Sequence, residues 1–308
     1  MGRRSAWSLV APLTWISEAL ERRFPNNTVA PAHFGELLGA YEASGLAPPN
    51  IRQEVTAGER GLRAHIWEAM LYRHFSELGF EFRRDKVQKA GQKGPDFGLL
   101  HKGVTIWVEA IVPAPEGIPA EYLRTPKVGE VILKTVPHQE KLLRWTAALK
   151  EKRDKFQRYV ESGIIPATDP TVIAVNGCRL ADWSIDDNGI SRMPLAVEAT
   201  FPVGPIAVPI SRDGLIDGEA TRVPRYSIQN ANGAEVRTDS FLNPLYANVS
   251  AVLGCVKWDM LKALPLTLIH NPLAHVALPR EIFRTTKEYV ADEQGDDYLL
   301  RPLSEPGP

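Results

Sequence analysis

The chain has 308 residues, of which 44% are hydrophobic and 24% charged, and its formal net charge is -1 at pH 7. Such a chain has enough apolar residues for a full core, in one large domain or two smaller ones. Its near-neutral charge argues against a surface that coats nucleic acid broadly, although a local basic groove is compatible with it. The two cysteines, Cys178 and Cys255, each lie beside an apolar run. We therefore expect buried free thiols in a reducing compartment.

The first 23 residues predict an amphipathic helix rather than a signal peptide. Polar residues between Thr14 and Glu18 limit the apolar run, and no small-x-small cleavage site follows it. Elsewhere no uninterrupted apolar run is long enough to span a bilayer. We expect a cytoplasmic protein without a membrane partner, and the sequence does not indicate an oligomeric state.

From residue 56 onward the sequence predicts a helix, three strands, a second helix and a fourth strand. Apolar residues at spacings of three and four indicate the first helix, which ends at Gly79. The strands are rich in Val, Ile, Trp and Phe, and the second helix begins at Pro137, a permitted first-turn position. The predicted ranges are helix 59–78, strands 80–84, 97–100 and 104–111, helix 137–162 and strand 171–175.

The remaining segments predict a lid and a β-rich C-terminal third. Segment 112–136 is rich in Pro and Gly and too long for an idle connection, so we expect a surface lid or flap. Short strands are expected near 196–201, 206–210, 226–229 and 266–269, with a helix near 246–256. The predicted organisation is a helical lead-in (1–55), a core (56–180), a β-rich extension packed on that core (181–285) and a loose tail (286–308).

The central hairpin is predicted to bring two carboxylates together. Its strands are joined by Lys102-Gly103, and a two-residue turn at these residues fixes the strand register. Continuing that register to the strand ends pairs Asp96 with Glu109, with Cβ atoms roughly 5 Å apart. Because like charges at that distance repel each other, the arrangement indicates a cation between them.

These residues resemble the PD-(D/E)XK nuclease superfamily between about residues 59 and 175. Pro95-Asp96 matches the first acid of the family pattern, Glu109 matches the second, and Glu68 matches a carboxylate on the preceding helix. The resemblance implies an α/β protein with a restriction-endonuclease-like mixed sheet flanked by helices, built on an αβββαβ core. It also implies hydrolysis of phosphodiester bonds at a site for Mg²⁺ or Mn²⁺, whose ligands would be Glu68, Asp96, Glu109 and the Ala110 carbonyl oxygen.

The chain departs from the family pattern at the third signature residue. The pattern places a lysine two residues after the second acid, and Ile111 stands there. Lys152 is the expected replacement, because it interrupts an apolar stripe of the second long helix and so faces the sheet. A lysine there would orient the attacking water or stabilise developing negative charge, whereas a purely structural Lys152 would snorkel out of the core. Lys93 and Lys134 are weaker candidates, because both lie in loops.

The sequence therefore predicts a magnesium-dependent nuclease or phosphodiesterase, with DNA favoured over RNA and Asp96, Glu109 and Lys152 as catalytic residues. One alternative is a catalytically inactive module of the same fold that binds nucleic acid or protein, suggested by Ile111. Another is an interaction domain whose resemblance is accidental. The basic helix 137–162 is either a wall that faces phosphates or a solvated face. His270 and His275 fit a structural loop better than a metal site.

Overall fold

The computed structural model describes residues 14–23, 29–83, 94–124, 129–131, 133–180, 188–257, 264–295 and 297–303. The chain divides into two compact units, Met1–Phe80 and Glu81–Pro308. This boundary differs from the predicted one at residue 55. The helix that carries Glu68 belongs to the N-terminal unit, because it packs with the helices that precede it.

The described part of the N-terminal unit is helical. Its helices are α1 (Thr14–Arg23), α2 (Val29–Ala43), α3 (Ile51–Ala57) and α4 (Glu59–Glu77). Helix α4 contacts α2 and α3. Of the predicted apolar stripe, Trp67, Leu71 and Phe75 are buried in α4, whereas Leu78 follows the helix and is partly buried. Gly79 follows the helix with a φ of 82°, a left-handed conformation that glycine adopts without strain.

The C-terminal unit is built on a large mixed sheet. Its described strands, in chain order, are β1 (Glu81–Phe82), β2 (Phe97–His101), β3 (Val104–Ile111), β4 (Thr171–Asn176), β5 (Val203–Ala207), β6 (Thr221–Pro224), β7 (Ser227–Gln229), β8 (Glu235–Arg237), β9 (Ala251–Cys255), β10 (Thr267–His270), β11 (Lys287–Gln294) and β12 (Asp297–Pro302). Eight of these described strands form one sheet in the order β1-β2-β3-β4-β9-β10-β11-β12. The pairs β5–β6 and β7–β8 form two small separate sheets.

The large sheet contains both parallel and antiparallel pairs. Strands β1, β2 and β3 are antiparallel neighbours, whereas β4 runs parallel to both β3 and β9. Beyond them, β10 is antiparallel to β9 and parallel to β11, and β12 closes the edge in an antiparallel pair. The order helix, three strands, long helix and strand that we predicted between residues 59 and 175 is observed.

The C-terminal unit also contains three described α-helices, α5 (Ala120–Leu123), α6 (His138–Glu161) and α7 (Leu195–Glu198). Helix α6 packs against β4, and Trp145 of its apolar stripe is buried in the core cluster. A Cβ atom on Gly254 would lie 2.6 Å from the Cβ of Ala196 and 3.3 Å from the Trp145 ring, so glycine there lets α6 and α7 approach β9. The predicted lid segment is anchored by Ile118 and Tyr122, which are buried in the same cluster.

Several predictions about the C-terminal third are wrong. Residues 286–308 were expected to be a loose tail, but β11 and β12 complete the large sheet. The expected helix near 246–256 is instead strand β9, a run whose residues are all buried. Such a short, fully apolar segment fits a strand buried on both faces as well as a helix. The expected strand 196–201 begins as helix α7, and the strand expected at 206–210 is β5, three residues earlier.

Because β9 and β10 lie within the large sheet, the β-rich third is not a separate extension packed on a core.

Both cysteines are buried free thiols, as predicted. None of the helices in the described ranges has the length and hydrophobicity needed to cross a membrane.

Candidate active site around Glu109

The β2–β3 hairpin has the predicted register. Its turn residues, Lys102 and Gly103, both have positive φ angles, 47° and 86°, as a two-residue turn that matches the twist of its strands requires. Five residue pairs form the ladder from the turn to the first residue of β2. The next pair in this register is Asp96 with Glu109.

Asp96 lies one residue before β2 and turns its side chain onto β3. Its Oδ2 accepts a hydrogen bond from the Ala110 N–H at 2.7 Å. This bond holds the Asp96 carboxylate beside the strand position of Glu109, and the two acids interact electrostatically. The carbonyl oxygen of Ala110 remains a predicted ligand.

Glu109 is fully buried and accepts hydrogen bonds from three residues of α6. Lys152 Nζ and Lys155 Nζ each lie 2.7 Å from the same oxygen, Oε2. The Tyr159 hydroxyl donates to the other oxygen, Oε1, at 3.0 Å and lies 3.2 Å from the Gly94 carbonyl oxygen. Helical spacings of three and four place the three side chains on one face of α6, opposite β3.

Lys152 makes the contact with the sheet that its position in the apolar stripe predicted, while its catalytic role stays a prediction. Lys155 and Tyr159 were not predicted as site residues. Lys155 belonged to a run of charges that fits a solvated face equally well, and Tyr159 fitted the apolar stripe. The available signal was the hydroxyl of Tyr159, since a buried tyrosine usually needs a polar partner.

The charges of this cluster depend on one another. Burial and the charge of Asp96 raise the pKa of Glu109, and the two ammonium groups oppose that rise. Burial alone would lower the pKa of Lys152 and of Lys155, but the charges of Glu109 and Asp96 outweigh it and raise both pKa values. The lysines are therefore cationic at neutral pH. Two ammonium groups balance two carboxylates, which makes buried charges tolerable.

Tyr159 is a hydrogen-bond donor here and not a nucleophile. Burial, followed by the charge of Glu109, raises its pKa well above the ordinary value. The phenol therefore stays protonated across the physiological range. Its single proton is directed to Glu109 Oε1, the nearer of the two acceptors, and orients that carboxylate.

The donor set fits a divalent cation chemically. Two carboxylates provide the hard oxygen ligands that Mg²⁺ and Mn²⁺ prefer. Their combined negative charge already attracts two ammonium groups to Glu109 Oε2. A positive charge is therefore stable beside this oxygen. Within the described residues no group of three or more His, Cys, Asp or Glu side chains is arranged to hold a metal. Asp96 and Glu109 are the two acidic side chains that this cluster offers to a cation.

Glu68 lies on α4 in the N-terminal unit, where it has other partners. Its Oε2 accepts a hydrogen bond from the Tyr41 hydroxyl at 3.1 Å and lies 3.0 Å from His65 Nδ1. The other ring nitrogen of His65 lies 2.8 Å from Glu54 Oε2. These contacts join α2, α3 and α4, which is a structural role. The predicted role of Glu68 as a metal ligand stays a prediction.

The other candidate residues do not join this cluster through their observed contacts. Lys134 donates hydrogen bonds to the carbonyl oxygens of Tyr122 and Arg124 in its own segment, and Lys93 lies outside the described residues. Ile111, at the usual lysine position of the family pattern, packs against the core cluster. An apolar side chain suits that place, because it points into the core.

The two histidines make structural contacts. His270 Nε2 lies 2.7 Å from Glu288 Oε1, which also accepts a hydrogen bond from the Glu281 N–H at 2.9 Å. The backbone N–H of His275 donates to Ala247 O at 2.7 Å. Glu288 was not predicted as a partner, because it lies on a strand that we expected to be loose.

Comparisons of this chain with protein-family models, curated proteins and solved structures find no match. The resemblance to the PD-(D/E)XK superfamily therefore depends on the order of elements and on the residues around Glu109.

Proposed function

We propose that the chain is a metal-dependent nuclease of PD-(D/E)XK-like fold that hydrolyses phosphodiester bonds at Asp96 and Glu109, most favourably in DNA. The observation that carries this proposal is the contact of Lys152 Nζ with Glu109 Oε2 at 2.7 Å, beside Asp96. A buried lysine on a helix thus meets the second acid of the pattern, although the lysine position of the pattern itself holds Ile111.

The fold supports the same interpretation. Helix α4, the antiparallel strands β1 to β3, helix α6 and the parallel strand β4 follow one another in the order that the resemblance implies. The two acids lie on the hairpin at the middle of this series, and α6 supplies the cationic side chains.

Each residue of the cluster has a distinct task in this proposal. Asp96 and Glu109 would hold a divalent cation, which when bound lowers the pKa of an attacking water and neutralises charge on the phosphate. Lys152 would orient that water or stabilise the negative charge that develops. Tyr159 and the Ala110 N–H fix the orientations of the two carboxylates.

The basic residues of α6 differ in their partners and in their exposure. Lys152 and Lys155 contact Glu109, whereas the Arg153 guanidinium lies 4.8 Å from the centre of the Tyr246 ring. The Lys150 side chain is 67% exposed and pairs with Asp154. Of these four side chains only that of Lys150 is mostly exposed, so Lys150 presents its charge to solvent.

A second candidate is an inactive module of the same fold that binds nucleic acid or protein. The saturation of Glu109 favours it, because three donors occupy a fully buried carboxylate and Ile111 replaces the usual lysine. A cavity of about 690 Å³ is lined by residues that include Tyr122, His138 and Arg225. Neither Glu109 nor the residues that contact it line this cavity.

A cleavage assay separates the two candidates. The purified chain is incubated with supercoiled plasmid, single-stranded DNA and RNA, each with Mg²⁺, Mn²⁺ or EDTA. The nuclease hypothesis predicts metal-dependent cleavage that Asp96→Asn and Lys152→Met abolish, while the surface control Lys150→Met cleaves like wild type. Equal or absent cleavage in all of these proteins would favour the inactive module.

A further inference from the structure

Two ammonium groups share one carboxylate oxygen in the cluster. Lys152 Nζ and Lys155 Nζ are each 2.7 Å from Glu109 Oε2. The two lysines repel each other, and the charge of Lys155 opposes the rise in the pKa of Lys152. The two ammonium groups on Oε2 therefore occupy the position that a divalent cation bound to Glu109 would take.

The two lysines differ in their access to solvent. The Lys152 side chain is 9% exposed and lies in the apolar stripe of α6, so its ammonium group has no path outward that keeps the core packed. The Lys155 side chain is 29% exposed, and its ammonium group lies 5.6 Å from the centre of the Tyr159 ring. A flexible four-carbon stem at such a place allows the Lys155 head to move from Glu109 into solvent without disturbing the core.

We infer that Lys155 is an internal substitute for the metal, which holds the cation position on Glu109 until a divalent cation arrives and then turns outward to contact a substrate phosphate. This inference rests on the proposed function, since it assumes that Asp96 and Glu109 bind the cation. Lys152 keeps its contact with Glu109 throughout and retains the task proposed for it above.

Exchange of Lys155 for the metal would couple metal binding to nucleic-acid binding. The ammonium group of Lys155 competes with the cation for Glu109, so it weakens metal binding in the absence of substrate. Once displaced, it is free to pair with an anionic phosphate, so it strengthens nucleic-acid binding in the presence of metal. Metal and nucleic acid should therefore bind with positive cooperativity, and the loss of Lys155 should remove that coupling.

Two binding measurements test this without any need for catalysis. Electron paramagnetic resonance of free Mn²⁺ gives the metal affinity, and fluorescence anisotropy of a labelled oligonucleotide in Ca²⁺ gives the nucleic-acid affinity. We expect Lys155→Met to bind Mn²⁺ about tenfold more tightly, because a competing charge within hydrogen-bond distance has been removed. We expect the same variant to bind the oligonucleotide several-fold more weakly, with a salt dependence reduced by about one phosphate contact.

Lys150→Met is the matched control, because it removes an exposed ammonium group from the same helix, and it should change neither affinity. Tighter Mn²⁺ binding together with weaker oligonucleotide binding in Lys155→Met alone supports the inference. If Asp96→Asn abolishes Mn²⁺ binding but Lys155→Met leaves both affinities at wild-type values, the inference is overturned and the metal site stands. If Asp96→Asn leaves Mn²⁺ binding unchanged, or if neither wild type nor Lys155→Met binds Mn²⁺, the metal site fails and the inference fails with it.

Discussion

Replacing Glu109 with glutamine should strongly destabilise the C-terminal unit. Two charged hydrogen bonds at 2.7 Å end on this residue, and its carboxylate is fully buried. Glutamine keeps the shape and one neutral acceptor but leaves two ammonium groups without their shared anion. Breaking a buried ion pair by removing one partner costs about 3–5 kcal/mol. The nearby charge of Asp96 offsets part of that loss, so we expect the low end of this range in the free energy of unfolding.

Urea unfolding followed by tryptophan fluorescence, with thermal unfolding as a second probe, measures this loss. In a unit of this size each kcal/mol lowers the melting temperature by about 2–4 °C. Glu81→Gln is the matched control, because Glu81 is an exposed glutamate on β1 of the same sheet, and it should change stability by no more than about 0.5 kcal/mol. If Glu109→Gln raised the stability, repulsion between Asp96 and Glu109 would govern the cluster, and the lysine contacts described here would be refuted.

Two further predictions concern the cluster around Glu109, and a third concerns His65 in the N-terminal unit. Lys152→Met should lower the cleavage rate about a hundredfold or more, roughly 3 kcal/mol, with little change in KM, and a wild-type rate would make Lys152 a packing residue. Mn²⁺ should raise the melting temperature of the wild type, and Asp96→Asn should remove most of that rise; equal rises in both would place the metal elsewhere. Burial lowers the pKa of His65, but hydrogen bonds and charges from Glu68 and Glu54 raise it above the ordinary 6.5. Its stabilisation of α3 and α4 should be complete below about pH 6.5 and be lost as the pH rises through the raised value, which hydrogen exchange of these helices in wild type and His65→Gln can follow.

Local patterns were sufficient to predict the framework of the site. The turn chemistry of Lys102-Gly103 fixed the hairpin register, so the positions of Asp96 and Glu109 followed from counting residues. The apolar stripe of α6 gave the orientation of Lys152, since a helix that packs on a sheet must turn that stripe inward.

Interactions between distant segments could not be predicted in the same way. Lys155 has the local sequence of a surface residue, and only the position of Glu109 on another element makes it part of the cluster. Strand β9 is a short apolar run that fits a helix equally well, and its pairing with β4 decides the outcome. Likewise the charge of Glu288 concealed its own burial in β11, because its partner His270 lies 18 positions away.

Anomalous diffraction from crystals soaked in Mn²⁺ tests most directly the claim that the acids on this hairpin form a cation site. We expect an anomalous peak between Asp96 and Glu109, with the Lys155 ammonium group displaced toward solvent and Lys152 still in contact with Glu109. Crystals of Asp96→Asn should lack that peak. A Mn²⁺-soaked wild-type crystal without a peak there, and with both lysines still on Glu109 Oε2, would contradict it.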